Sequence, residues 1–292
     1  MKFITHSCTV ETLQGFEVYH LANEVVSLKV VPGLGAKIIS LKNLCSGREW
    51  LWHPSGGLKL FTNHAGDDFS KSPLIGVDEC VPTIAPCLWR GRNLPDHGEA
   101  WTAKWSVDRE AWQNGILKTS LQFGISPLRF ERTIELDGNE ICLNYQLHNL
   151  STQTESYLWA IHPLLKLEPD DRLELPASTR SLLKGATWVD AISSAIPANR
   201  CAKVFARPIT EGLAGLHNRA TGDRLDFIWD VAENDTLGLW LTRGGWHEHH
   251  HFAIEPTNGN DDALTVAAEQ KRGRQVAASN SIDWQLRLRI SS

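Results

Sequence analysis

Phe130-Glu131-Arg132-Thr133-Ile134-Glu135-Leu136-Asp137-Gly138-Asn139-Glu140-Ile141-Cys142-Leu143-Asn144-Tyr145-Gln146-Leu147 decides the fold class. Ile141, Leu143, Tyr145 and Leu147 alternate with polar residues, the period-two signature of a strand with one buried face. Asp137-Gly138-Asn139 supplies the turn back to Phe130–Leu136. Upstream, Leu117–Phe123 joins through Ser126-Pro127, so three strands form a meander. Working outward, the same texture recurs. Val25–Val31 closes at Pro32-Gly33, and Ala36–Leu41 ends near Asn43. Tyr157–Ile161, Leu237–Thr242, Phe252–Glu255 and Trp284–Ile290 read as further strands. Helical signals are confined to short turns near Leu74-Ile75-Gly76 and Ser178–Leu183. No linker, low-complexity tract or tandem repeat interrupts the chain. The expectation is one continuous all-β domain over residues 1–292, built from large antiparallel sheets packed face to face.

Composition narrows the function classes. The 292 residues carry a formal net charge of −5, and the pI is near 6.2. That gives no basic footprint for nucleic acid or an anionic membrane. Polar residues enter the Met1–Ser7 stretch too early for a signal peptide, and no apolar run is long enough to span a bilayer. A cytoplasmic location is the expectation. The six cysteines form no C-x-x-C pair, so they are expected to be reduced and mostly buried. Twelve Trp stand against three Tyr. An indole offers a flat apolar face and one N–H donor, which suits a pyranose as well as a β-sandwich core.

Four segments concentrate chemistry-bearing side chains. Gly76-Val77-Asp78-Glu79-Cys80-Val81-Pro82 reads as a loop with two adjacent carboxylates. Leu94-Pro95-Asp96-His97-Gly98-Glu99-Ala100-Trp101 reads as a kinked loop presenting an imidazole, a fitting polar end for a ligand pocket. In Trp159-Ala160-Ile161-His162-Pro163 a His closes an apolar strand and Pro stops the ladder. The fourth runs from Gly244 to Gly259 and contains His247-Glu248-His249-His250-His251. If His249–Glu255 is extended, then His249, His251, Ala253 and Glu255 share a face.

At these segments the sequence resembles the aldose 1-epimerase (galactose mutarotase-like) superfamily. The resemblance begins at Val30-Val31-Pro32-Gly33-Leu34-Gly35-Ala36-Lys37-Ile38-Ile39-Ser40-Leu41 and passes through Asp96-His97-Gly98 and His162-Pro163. It closes with Ile254-Glu255-Pro256 and the last strand, Ser281–Ile290. It implies a β-supersandwich and a mutarotase that needs no cofactor and no metal, with a small-molecule sugar as its partner. It further implies His162 as general acid, Glu255 as general base and His97 as a sugar-binding residue. Asp96, Trp101, Asp78, Glu79, His249 and His251 join His97 as candidate substrate-binding side chains. Such a pair can move the protons of ring opening, and mutual attraction between close neighbours favours both charged forms. The sequence departs from the family in three places. Leu164 and Leu165 follow His162-Pro163 where an aromatic is usual, and Glu99 follows the H-G pair. No Arg lies between Gly76 and Pro86 to match the family's sugar-binding Arg, which leaves Arg90 and Arg92 as substitutes.

Other readings stand beside this one. A protein of the same fold could bind carbohydrate without turning it over. His249-x-His251-x-x-x-Glu255 also matches the core of a cupin-like two-His, one-carboxylate metal site. The tryptophans could instead line a protein-interaction surface.

Overall fold

The computed structural model describes residues 7–73, 75–192 and 197–292. Two stretches read in the sequence therefore lie outside the described residues, Met1 to His6 and Leu74. Two large antiparallel sheets organise the described chain. The first has nine strands in the spatial order Ser7–Leu13, Phe16–Ala22, Val26–Val31, Lys37–Asn43, Val77–Cys80, Ala160–Pro163, His250–Thr257, Thr236–Arg243 and Arg200–Ala206. The second has eight, ordered Asp171–Glu174, Leu213–Asn218, Arg224–Trp229, Ser281–Ser291, Glu140–Asn149, Leu128–Asp137, Leu117–Gln122 and Ser106–Val107. Apolar side chains of both sheets share one core, so the all-β sandwich expectation holds.

The meander supplies three successive strands of the second sheet, next to its Ser106–Val107 edge. Asp137 pairs with Glu140, leaving Gly138 and Asn139 as a two-residue loop, with Gly138 at φ 58°. Glu140–Asn149 alternates half-buried and buried residues along its whole length. Its buried side carries Tyr145, which stacks on Trp284 at 5.3 Å, while Trp159 of the facing layer meets Trp284 edge-on at 5.2 Å. The helical turn expected at Ser178–Leu183 appears as Ala177–Leu182, whereas Ile75 and Gly76 are not helical. Among the described residues no helix is long and apolar enough to cross a membrane.

Three readings are corrected. Tyr157–Ile161 is not one strand. Glu155–Tyr157 pairs with Arg274–Val276 in a small separate sheet, and Ala160–Pro163 enters the nine-stranded sheet. Leu158 and Trp159 cross between them, tied by Leu158 N–H to the Pro82 carbonyl and Trp159 N–H to Asn258 Oδ1. An unbroken apolar run hides that change of partner, because both sides of the break are buried. The cysteines are all free, but only Cys80 is buried, and Cys45 and Cys201 are exposed. The twelve tryptophans divide between buried and half-buried positions, and none is fully exposed.

Asp78 and Glu79 are the third correction. They lie on the Val77–Cys80 strand, fully buried, not on a loop. Alternation sends their side chains to opposite faces. Glu79 points to the second sheet, where it accepts from Arg132 Nη1 at 2.9 Å, Tyr145 Oη at 3.0 Å and Trp159 Nε1 at 2.8 Å. Arg132 also donates to the Ala36 carbonyl. Burial pushes the Glu79 carboxyl up, and Arg132 opposes that push. Arg132→Met strands this carboxylate in the core, so urea unfolding should show a loss of about 3–5 kcal/mol. A loss below about 1 kcal/mol, the value of an exposed pair, would contradict the structural role given to this network.

Candidate functional site

A cavity of about 250 Å³ opens on the face of the nine-stranded sheet turned away from the second sheet. Its lining includes His162, Glu255, Trp240 and Lys203 from the strands and Phe69, Asp96, His97, Trp246 and Asp262 from covering segments. Register explains the strand residues. Ala160 pairs with Thr257, so two residues further along, His162 faces Glu255 across neighbouring strands. His162 also pairs with Asp78, and Glu255 pairs with Gly238. Directly opposed residues of antiparallel strands project to the same side. Asp78, His162 and Glu255 therefore form one row on the cavity side, with Gly238 continuing it.

His162 Nε2 stands 3.4 Å from Glu255 Oε1. Both residues are nearly closed to solvent, His162 at 9% and Glu255 at 2% exposure. Among the described residues neither His162 Nδ1 nor Glu255 Oε1 has a hydrogen-bond partner. Burial holds the His162 imidazole well below its usual range, and the nearby His97, Lys203, His251 and Lys37 push the same way. Burial pushes the Glu255 carboxyl up, against the pull of Lys203. The expectation that attraction would favour both charges is therefore corrected. The pair is close, but desolvation outweighs attraction, and both groups are biased toward their neutral forms.

Gly238 makes room for the carboxylate. A Cβ there would lie 3.0 Å from Glu255 Oε2 and 3.1 Å from the Phe205 ring. Beyond this gap, on the edge strand, Lys203 Nζ lies 3.9 Å from Glu255 Oε2 and 2.6 Å from Asp262 Oδ1.

The His97 loop is held from several sides. His97 and Gly98 both take positive φ, 56° and 75°. A Cβ on Gly98 would meet the Val81 carbonyl oxygen at 2.1 Å, so this course needs glycine. Asp96 accepts from His97 Nδ1 at 2.8 Å and from the Phe69 N–H at 2.8 Å. Burial pushes the Asp96 carboxyl up, but these bonds and the His97 charge outweigh it, and the net direction is down. An ionised Asp96 only accepts, so Nδ1 of His97 carries a proton, and Nε2 is an acceptor when the imidazole is neutral. Phe69 stacks on the His97 ring at 4.0 Å and meets His162 edge-on at 5.3 Å. It supplies the aromatic wall that Leu164 and Leu165, both fully buried, do not.

The remaining candidates fall outside the lining. Trp101 is buried, and its indole N–H supports the loop by donating to the Asp96 carbonyl at 2.7 Å. Glu99 accepts from the Ile125 and Ser126 N–H groups, tying the loop to the second sheet's side. Asp78 forms a fully buried ion pair with Lys37 beside His162 in the row. Glu79 faces the core. Arg90 and Arg92 are engaged with Glu155 at 3.5 and 2.7 Å. His251 is buried against Trp240 and Trp52, its imidazole pushed down to about 3, chiefly by burial. His249 is half-buried beside Trp52. Among the described residues no three His, Cys, Asp or Glu side chains converge as a metal-ligand set. The cupin-like reading fails on distance: four residues of extended chain separate His251 from Glu255 by about 13 Å.

Lys203, Asp262, Phe69, Trp240 and Trp246 were not singled out in the sequence. One signal did exist: Gly238 interrupts the apolar run Leu237–Leu241, the mark of a close approach.

No protein-family model matches the chain, and no curated protein matches it. Solved structures do. The Slr1438 protein of Synechocystis sp. PCC 6803 is 17% identical with TM-score 0.72, the match covering 100% of this chain and 99% of that one. A candidate aldose 1-epimerase from Klebsiella pneumoniae is 17% identical with TM-score 0.78, covering 99% and 85%. A galactose mutarotase-like protein from Clostridium acetobutylicum is 13% identical with TM-score 0.73, covering 98% and 99%. The chain therefore has the galactose mutarotase-like fold.

The buried carboxyl has a consequence for stability. With its folded pKa above the usual 4.5, Glu255 destabilises the folded state relative to a neutral isostere as pH rises from the unfolded value through the folded one. Glu255→Gln should therefore melt at or above the wild-type temperature at pH 7, and the difference should vanish below pH 4, where the carboxyl is protonated in both states. A Gln variant that melts lower at pH 7 than at pH 4, relative to wild type, would contradict this.

Proposed function

We propose that the protein interconverts the α and β anomers of an aldose by general acid/base catalysis, with Glu255 as base and His162 as acid. The observation that carries the reading is the His162–Glu255 pair, 3.4 Å apart at the wall of the cavity. Ring opening moves protons at two oxygens on one carbon, so the base and the acid must stand side by side. Glu255 takes the proton of the anomeric hydroxyl, and His162 gives its proton to the ring oxygen as the bond from that oxygen to the anomeric carbon breaks. The carbonyl of the open chain forms at the same carbon. Rotation about the first carbon–carbon bond presents the other face, and both transfers reverse on closure.

At the open-chain stage Glu255 is protonated and His162 is neutral. Burial favours that charge state for both groups, so the dry site stabilises the stage that water reaches slowly. His97, with its proton fixed toward Asp96, offers an acceptor to a sugar hydroxyl. Phe69, Trp240 and Trp246 give apolar faces for the C–H side of a pyranose. The likeness to a candidate aldose 1-epimerase supports the same reading.

Polarimetry of freshly dissolved aldoses tests it. The wild type should speed the approach to anomeric equilibrium, and Glu255→Gln and His162→Asn should each lower kcat by about 10²–10⁴-fold while remaining folded. A wild-type rate equal to the solvent background across common aldoses would sink the proposal and leave binding without turnover.

A further inference from the structure

Lys203 is a cation at the cavity rim, its side chain 29% exposed, that the acid/base pair does not itself require. It rises from the Arg200–Ala206 edge strand, opposite Trp240 and diagonal to Glu255. Asp262 grips its ammonium at 2.6 Å, the Phe205 ring lies 5.1 Å away, and Glu255 Oε2 is 3.9 Å off. Gly238 stands between, and a side chain there would crowd Oε2 and Phe205. The tether and the gap together aim one fixed charge at one carboxylate oxygen.

We propose that Lys203 is a positioning residue for Glu255: anchored by Asp262 and admitted by Gly238, its ammonium stabilises the carboxylate form of Glu255 at the cavity wall. This rests on the reading of Glu255 as the base, which works only as the anion. The other groups facing Glu255 do not supply a fixed positive charge. His162, from the adjacent strand, is pushed toward its neutral form by burial and gains and loses its proton in the cycle, so its charge is not fixed. Cys80, on the strand beyond it, is pushed well up by burial and by Asp78 and Glu255, and stays a thiol. Asp262 raises the Glu255 carboxyl, and His97 lowers it less than Lys203 does. Lys37 is spent on Asp78. Lys203 keeps its own charge, because Glu255 and Asp262 outweigh its burial.

Carbon-13 NMR titration of the full chain, labelled at the Glu side-chain carboxyl carbons, reads Glu255 directly. Its resonance is assigned by loss in Glu255→Gln. Lys203→Met should raise the Glu255 midpoint by about one pH unit or more, the effect of removing an opposite charge within about 4–6 Å. Lys203→Arg should keep it near the wild-type value. Should Lys203→Met fail to fold, Lys203→Gln is read in the same way. An unmoved midpoint in the neutral variant overturns the proposal, as does an equal rise in the Arg variant, which would assign the effect to packing. If the wild type turns over an aldose, removing Lys203 should also displace its kcat/KM profile to higher pH. A wild type without turnover would remove the acid/base reading but leave the titration decisive for Lys203.

Discussion

Buried charge must be paired, and one four-residue strand carries most of that constraint here. Asp78 and Glu79 leave opposite faces of Val77–Cys80, and each meets a fully buried cation, Lys37 on one side and Arg132 on the other. The Arg132–Glu79 contact joins the two sheets through the core, with Tyr145 and Trp159 filling the remaining acceptor positions. The Lys37–Asp78 contact lies next to His162 in the same cross-strand row. The site is thus an extension of a charge-compensated sheet. Moving outward along the row, the pairing weakens from a full ion pair to the neutral-biased His162–Glu255 contact, and the weakly compensated pair is the one the cavity exposes.

Strand positions were largely legible in the sequence, because alternation over Glu140–Asn149 and its neighbours reflects burial of one face. His162 and Glu255 were legible through Pro163 and Pro256 beside them and through resemblance. Their adjacency was not, since it depends on the register of strands almost a hundred residues apart. Asp78 and Glu79 misled for a related reason. Two adjacent carboxylates between Gly and Pro resemble a solvated turn, and the cations that allow their burial come from distant strands.

The His249–His251 cluster shows the opposite error. Shared face was inferred correctly for His251 and Glu255, but a shared face on an extended strand is not shared reach. Lys203 was missed because nothing local distinguishes a solvated edge-strand lysine from one whose ammonium reaches a buried carboxylate. Only Gly238, opposite Glu255, reveals that the neighbouring space is used.

The central claim is that His162 and Glu255 address the anomeric centre of a bound sugar. A crystal structure of the Glu255→Gln variant soaked with an aldose tests that claim most directly. The account predicts the anomeric oxygen within about 2.6–3.2 Å of the residue 255 side chain, with the ring oxygen toward His162 and the pyranose against the Trp240 and Trp246 side. A sugar seated in the cavity with its anomeric carbon directed to the mouth, away from both residues, would contradict it.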